Sequence, residues 1–452
     1  MSKNKLIFAI IVWALVILLL IGVLLLNSKP SASTSTVRST GDFKIWIVGD
    51  SKTKFEEFLS SLKLDNPWVS GVNFSVESFA TYQDYSMALT SAMIKWTAPD
   101  IFVLNNNETS LFEEKVAAIP KEIINPIDFK KNYRGIFTDD LIIRNSSEWD
   151  GEETTTEFLK GLPVWYETLG VFYNRRFRFK ISDFNSIATL NSAITRTKAL
   201  NVTPLWIGNG STVLDAQDIL AQFFLIHKVD SLENADATKI KQALWVYAWF
   251  WSSNGENAYN DLFSNTQATG KTNIDLFVEN DLGAIIAYPR TVLRLQALWF
   301  SSKTLFAAPF PHFHSADGWT LANYNYFVVN SDSQQKDVAF TFLKYLNSDA
   351  WASAFLDKYR YYLPARLNLE ADMAEQQVSN YFDSVVLGDF YTNDKTPLSS
   401  FNKGNKVIYD TEVIPVLDNF SWYLNDFWEF KTSTLCKSNK ILNLTNLWTS
   451  CN

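Results

Sequence analysis

Between Phe43 and Leu104 the chain alternates β-like runs with helical spacing, and few architectures accept that order. Phe43–Val48 is rich in β-branched and aromatic residues and ends at Gly49-Asp50. Lys54–Leu62 then carries Phe55, Phe58, Leu59 and Leu62 at three- and four-residue intervals, the spacing of one helix face. Val72–Phe79 alternates as a second strand, and Tyr82–Trp96 gathers Tyr85, Ala88, Leu89, Ala92, Met93 and Trp96 on one amphipathic side. Pro99 and Asp100 punctuate the chain before Ile101–Leu104, which is wholly apolar. A strand of a parallel sheet covered on both faces has that composition. The order βαβαβ predicts an open α/β sheet.

In such sheets ligands collect beyond the carboxyl ends of the strands. Those ends are polar here. Gly49-Asp50 follows the first strand, and Asn105, Asn106, Asn107 and Glu108 follow the third. Further on, Leu205–Ile207 runs into Gly208-Asn209-Gly210-Ser211, and Ala284–Ala287 into Tyr288-Pro289-Arg290. Asn and Gly also end strands with no ligand nearby. Four such ends in one chain point to a lined crevice.

The amino terminus bears on the compartment. Lys3 and Lys5 precede an unbroken apolar run of 21 residues, Leu6–Leu26. A helix of about 20 apolar residues spans the hydrocarbon core, whereas a cleaved signal core has roughly 7 to 15. The expectation is an uncleaved anchor over residues 1–27 with the carboxyl-terminal domain outside the cell membrane in a single pass. Residues 28–41 are rich in Ser and Thr and read as a flexible linker. The only cysteines, Cys436 and Cys451, lie in the carboxyl tail, where an oxidising compartment favours a disulfide between them.

With a formal net charge of −8 the chain lacks the basic face that nucleic acid requires. Enzyme motifs are weak. No G-x-S-x-G elbow occurs. Gly270-Lys271-Thr272 has Asn265 where a phosphate loop needs its first glycine. His227 sits in a helical stretch as a packed residue, and His312-Phe313-His314 offers two imidazoles without a third ligand, so no metal is assigned. Asp50, Glu108 and Glu167 could converge as glycosidase carboxylates, which leaves a surface glycosidase as one alternative.

Four stretches resemble a known family when read together. Ala98–Leu104 is similar to the "APDI" strand of the sugar-type, maltodextrin-binding-like extracellular solute-binding proteins of ABC importers. Gly161–Arg176 resembles the stretch where that family's chain enters its second lobe, and Phe277–Ile286 its pre-strand segment. Asn323–Leu346 followed by Leu363-Pro364-Ala365-Arg366 is similar to its late strand, helix and "LPAR" turn. The resemblance runs from Phe43 to Asn368; past Ala371 it stops, leaving Trp422, Tyr423, Phe427, Trp428 and Phe430 without a counterpart.

The fold class so implied is α/β and periplasmic-binding-protein-like: two lobes with hinge crossings, preceded by the transmembrane helix. Lobe I would hold residues 42–155 and 305–348, and lobe II residues 156–304 and 349–452. The implied function is capture of a small molecule, a sugar or oligosaccharide, between the lobes and its delivery to ABC permease subunits, with no chemistry and no cofactor. An adhesin or sensor ectodomain on the same fold is the other alternative. Sugars offer hydroxyls to planar hydrogen-bonding groups and C–H faces to aromatic rings. The candidate ligand-binding residues are therefore Asp50, Asn105, Asn106, Asn107 and Glu108 from lobe I, with Trp165, Tyr166 and Glu167 from lobe II. Asn209, Tyr288, Arg290, Trp319, Asn323 and Tyr324 complete the set.

Overall fold

In a computed structural model, the structure describes residues 39–49, 52–107, 109–149, 152–207, 213–232, 270–301, 303–312, 319–356, 362–369 and 398–399, with positions 236, 238–240, 242–244 and 246–247. The apolar run Leu6–Leu26, the linker before Ser39, both cysteines and the aromatic tail lie outside these residues. Among the described residues no helix is long and apolar enough to cross a membrane.

The βαβαβ unit forms as the spacing predicts. Strand β1 (Thr40–Val48) pairs in parallel with β2 (Gly71–Phe79) and β3 (Ile101–Asn105). Helix α1 (Lys52–Asp65) buries the expected Phe55, Phe58, Leu59 and Leu62. Helix α2 (Tyr82–Ile94) starts where the Thr81 side chain accepts from the Asp84 N–H, satisfying a free donor of the first turn. Its buried Tyr85 donates from its hydroxyl to the Val103 carbonyl at 2.6 Å and accepts the Val103 N–H at 2.9 Å. A side chain thereby satisfies backbone groups of β3 beyond its two register pairs with β1. Ile101–Leu104 is buried throughout, as a doubly covered strand must be. One expectation fails at the end of α2. The helix stops at Ile94, and Trp96 turns outward in the left-handed region instead of joining the apolar face.

Three further strands extend the first sheet. Strand β4 (Leu162–Thr168) leads, through Leu169 alone, into β5 (Gly170–Asn174), which belongs to a different sheet. Gly161, just before β4, is needed there: a Cβ would stand 2.5 Å from the Tyr326 ring and 2.8 Å from the Phe327 carbonyl. After β5 come α3 (Ile187–Lys198), β6 (Thr203–Leu205), α4 (Ala216–Ile226), β7 (Leu282–Ala287), α5 (Thr291–Ala297) and β8 (Leu305–Pro309). The chain then returns through β9 (Thr320–Asn330), α6 (Lys336–Leu346), α7 (Asp349–Leu356) and β10 (Leu363–Pro364). The first sheet has the order β10-β4-β9-β3-β1-β2, and the second β8-β5-β7-β6.

Each sheet anchors its own core, so there are two lobes, but their boundaries differ from those expected. The first crossing falls at Leu169, not at residue 156, because β4 is held by antiparallel pairing with β9 of the first sheet. Strand β8 pairs with β5, and Leu321 still packs in the second core, so the return crossing comes within the start of β9, between Leu321 and Ala322, and not at 305. Ala352, Leu363, Ala365 and Leu369 pack into the first core, so the chain after 349 does not go back to lobe II within the described residues. Lobe II is a single insertion between β4 and β9. Gln222 of α4 clamps the return: its Nε2 donates to the Trp319 carbonyl at 3.0 Å, and its Oε1 accepts the Leu321 N–H at 2.7 Å.

Candidate ligand-binding cleft

Strands β4 and β9 run side by side across the mouth of the first crossing, and their residues alternate between two environments. Tyr166 lies opposite Tyr324, Trp165 opposite Asn325, and Glu167 opposite Asn323. Successive side chains of a strand leave opposite faces, so these pairs sort into two sets. Tyr166 and Tyr324 face the core, meeting Phe137 edge-on at 5.8 and 4.8 Å. The Tyr324 hydroxyl donates to Asp140 Oδ2 at 2.8 Å.

The other face is polar and aromatic. The Trp165 ring lies on Tyr362 at 4.0 Å. Asn105, at the end of β3, donates to Asn323 Oδ1 at 2.7 Å and to Asn325 Oδ1 at 2.9 Å. Its own Oδ1 accepts the Asn107 N–H at 3.0 Å. A ladder of planar amides thus runs from β3 across β9 toward Trp165 and Glu167.

Glu167 connects this face to the second lobe. Arg290, just past the carboxyl end of β7, ion-pairs through Nη1 with Glu167 Oε2 and through Nη2 with Asp215 Oδ1, the latter at 3.2 Å. Asp215 precedes α4 in the left-handed region with φ 58°, which Asp tolerates better than most residues. The guanidinium rests over the Tyr288 ring at 4.5 Å, and the Tyr288 hydroxyl donates to Asp218 at 2.8 Å. Glu167 is 1% exposed and its Oε1 has no hydrogen-bond partner, whereas the Arg290 side chain is 37% exposed. Burial pushes the Glu167 carboxyl up to about 7 against the pull of Arg290, and burial likewise raises Asp215 to about 6. Burial opposes the charge on Arg290, but the two carboxylates outweigh it and keep the guanidinium protonated.

The structure brings Asn105, Asn107, Trp165, Glu167, Arg290 and Asn323 toward one junction. Trp165 and Glu167 reach it from lobe I, not from lobe II as the sequence implied, since β4 precedes the crossing. Asn106 serves the backbone: it is buried, accepting the Tyr324 N–H and donating to the Ala322 carbonyl, both at 3.0 Å. Tyr166, Tyr288 and Tyr324 are buried, and Trp319 packs partly buried against the second core. Asp50, Glu108 and Asn209 lie outside the described residues. Sequence reasoning missed Asp215, Asn325 and Tyr362. Asn325 was accessible from the period of β9 once Asn323 was chosen. Tyr362 directly precedes the Leu363–Arg366 turn, while Asp215 had no local signal.

Other motifs resolve into structure. Thr272, from the Gly-Lys-Thr run, caps the short helix Asn273–Val278 with Asp275, and Lys271 ion-pairs with Glu279. His227 stays in its helix terminus with Nδ1 against the Phe223 carbonyl at 3.0 Å. His312 is buried beside Thr320, while His314 lies outside the described residues. Among the described residues no cluster of His, Cys, Asp or Glu is arranged to hold a metal.

Comparison with solved structures identifies the architecture. The GacH receptor of Streptomyces glaucescens GLA.O, solved unliganded and with acarbose, superposes with a TM-score of 0.63 at 15% identity, over 90% of this chain and 99% of that one. An ABC substrate-binding protein of Listeria monocytogenes in complex with cycloalternan gives 0.62 at 16% identity, over 90% and 99%. A cyclo/maltodextrin-binding protein complexed with maltotetraose gives 0.64 at 12% identity, over 92% and 99%. The chain has the two-lobed fold of the solute-binding proteins. No protein-family model matches the sequence, and no curated protein matches it. At these identities the likeness shows the fold alone.

Proposed function

We propose that this protein is an extracytoplasmic solute-binding protein that captures a sugar or oligosaccharide between its lobes for an ABC importer, without catalysis. The carrying observation is the junction at the first crossing. There an aromatic pair and an amide ladder from one lobe adjoin an arginine and two carboxylates spanning both. The solved neighbours, described as binding acarbose, cycloalternan and maltotetraose, support the carbohydrate class. In this reading the Trp165–Tyr362 surface receives the C–H face of a pyranose ring, and Asn323, Asn325 and Asn105 meet its hydroxyls. Arg290 and Asp215 supply the second lobe's contacts, and Glu167 Oε1 is an acceptor for a ligand hydroxyl. A ligand held by both lobes makes all its contacts only when they close, so binding shifts an open–closed equilibrium by the difference in contact energy.

The membrane arrangement follows from Leu6–Leu26, read as a single-pass anchor that places the lobes outside the cell within reach of permease subunits. In this reading the mature protein fractionates with membranes and keeps Met1 or Ser2. A mature terminus near Thr34 in mass spectrometry would remove the anchor and leave the rest intact.

Ligand assignment is tested by thermal shift with maltose, maltotetraose, cycloalternan and acarbose, since a ligand that binds only the native state raises its melting temperature. A rise with at least one saccharide and unchanged saccharide on chromatography are expected. Hydrolysis of the saccharide would instead establish the glycosidase reading.

A further inference from the structure

We propose a second saccharide-binding site, at the pole of the first lobe farthest from the cleft, built on Trp96 and the cavity beside it. Trp96 follows α2 in a helix-terminating turn, with its own N–H on the Met93 carbonyl at 3.3 Å and the Thr97 N–H on the Ala92 carbonyl at 3.0 Å. The turn requires φ 57° at Trp96, a left-handed conformation in which glycine is the usual occupant. A tryptophan there gains little from burial, since it is 76% exposed. Neither backbone preference nor core packing accounts for this residue; because Trp299 has the same turn, the cavity beside Trp96 and not the turn carries the site.

The ring is also held. The Lys115 ammonium stands 4.9 Å from its centroid and is tied to Asp332 at 3.1 Å. Beside the indole is a cavity of about 460 Å³, a volume typical of small-molecule pockets, lined among others by Asp42, Lys44, Asp100, Gln334 and Gln335. It opens at the amino ends of β1 and β3 and the carboxyl end of the antiparallel β9. Asn105 and Asn323 stand at the other ends of those strands, so this site shares no residue with the cleft.

Its chemistry selects a class of ligand. An indole presents a face to sugar C–H groups, and carboxylates with carboxamides present planar acceptors and donors to hydroxyls. Asp100 forms a fixed wall, with Oδ2 accepting the Lys44 N–H at 2.8 Å and Oδ1 accepting from Ser333 at 2.5 Å. Asp42 and Asp332, both exposed, place further negative charge at the mouth. With Lys44 in the lining and Lys115 paired to Asp332, the site is only slightly negative, so a neutral glycan is the expected occupant. Such a site would hold a polymer near the protein while the cleft takes short fragments.

Trp299 supplies a matched control. It occupies the same kind of turn after α5 on lobe II, with φ 57° and 92% exposure. Affinity electrophoresis through gels containing glycogen, dextran, xylan or hydroxyethyl cellulose tests the proposal on the exported protein. Wild type is expected to be retarded in at least one of these gels. Trp96→Gly, which suits the left-handed turn and so keeps the fold, should lose at least tenfold of that retardation. Trp299→Gly should lose none. Trp165→Ala separates the two sites: retardation that persists in it belongs to the pole, whatever becomes of the cleft. The proposal is overturned by an unretarded wild type in all four gels, by equal retardation of Trp96→Gly, or by loss in Trp165→Ala alone.

Discussion

The two faces of the β4–β9 pair are built from adjacent residues and behave as different materials. On one side Tyr166 and Tyr324 are closed around Phe137, with the Tyr324 hydroxyl satisfied by Asp140. On the other, Trp165 is half-buried against Tyr362, Asn323 and Asn325 share the Asn105 amide, and Glu167 reaches across to the second lobe. The core face is saturated with partners. The cleft face keeps a half-exposed guanidinium and a buried carboxylate oxygen with none. Residue type alone does not distinguish these roles, since both faces carry aromatics; strand parity does.

That contrast is breakable by substitution. Tyr324→Ala should be the most damaging change to the fold. It empties a buried aromatic site and removes a hydrogen bond to Asp140, at a cost of about 3–5 kcal/mol in urea unfolding. Trp165→Ala should cost less than about 1.5 kcal/mol, because a half-buried side chain forfeits less burial. Equal destabilisation by the two would abolish the distinction between the faces.

Next in size is a pH effect confined to the cleft face. The folded Glu167 carboxyl sits at about 7 against an ordinary value of 4.5, so the native state holds its proton more tightly than the unfolded chain. The associated stability is complete below pH 4.5 and is lost as the pH rises through about 7. Its full extent is on the order of 3 kcal/mol. Wild type should therefore lose stability relative to Glu167→Gln between pH 5 and 8, in urea titrations at both values. A wild type that gains on the variant over that window would mean that the Arg290 pair outweighs burial.

The smallest expected effect sharpens the ladder. Asn323→Ala removes one amide hydrogen bond to Asn105, which still reaches Asn325, and should cost about 0.5–1.5 kcal/mol of stability. If Asn323 meets ligand hydroxyls, the loss in affinity should exceed that figure in titration calorimetry.

Much of the fold was legible because its signals are local. Phe55, Phe58, Leu59 and Leu62 state the helix face by spacing, and Ile101–Leu104 states a doubly covered strand by composition. The lobe boundary was not, because the single residue Leu169 separates strands of different sheets, and only the pairing of β4 with the distant β9 assigns it. Of the site, Trp165, Glu167 and Arg290 were singled out as residues, but their grouping was not visible. Glu167 and Arg290 lie 123 positions apart, and no local pattern couples them. Tyr166 and Tyr324 share the aromatic character of a cleft lining, but the period of two along β4 and β9 turns them inward. Trp96 shows the converse: its spacing fits a helix face, but the helix ends two residues earlier.

The central claim is that a saccharide binds across both lobes and that Trp165 forms part of its platform. Small-angle scattering, with and without the saccharide giving the largest thermal shift, tests it when run beside calorimetry on wild type and Trp165→Ala. The account predicts a smaller radius of gyration for liganded wild type. It also predicts a loss of about 2–4 kcal/mol in Trp165→Ala, roughly 30- to 1000-fold in affinity. Tight binding with no compaction, or equal affinity in the two proteins, would contradict it.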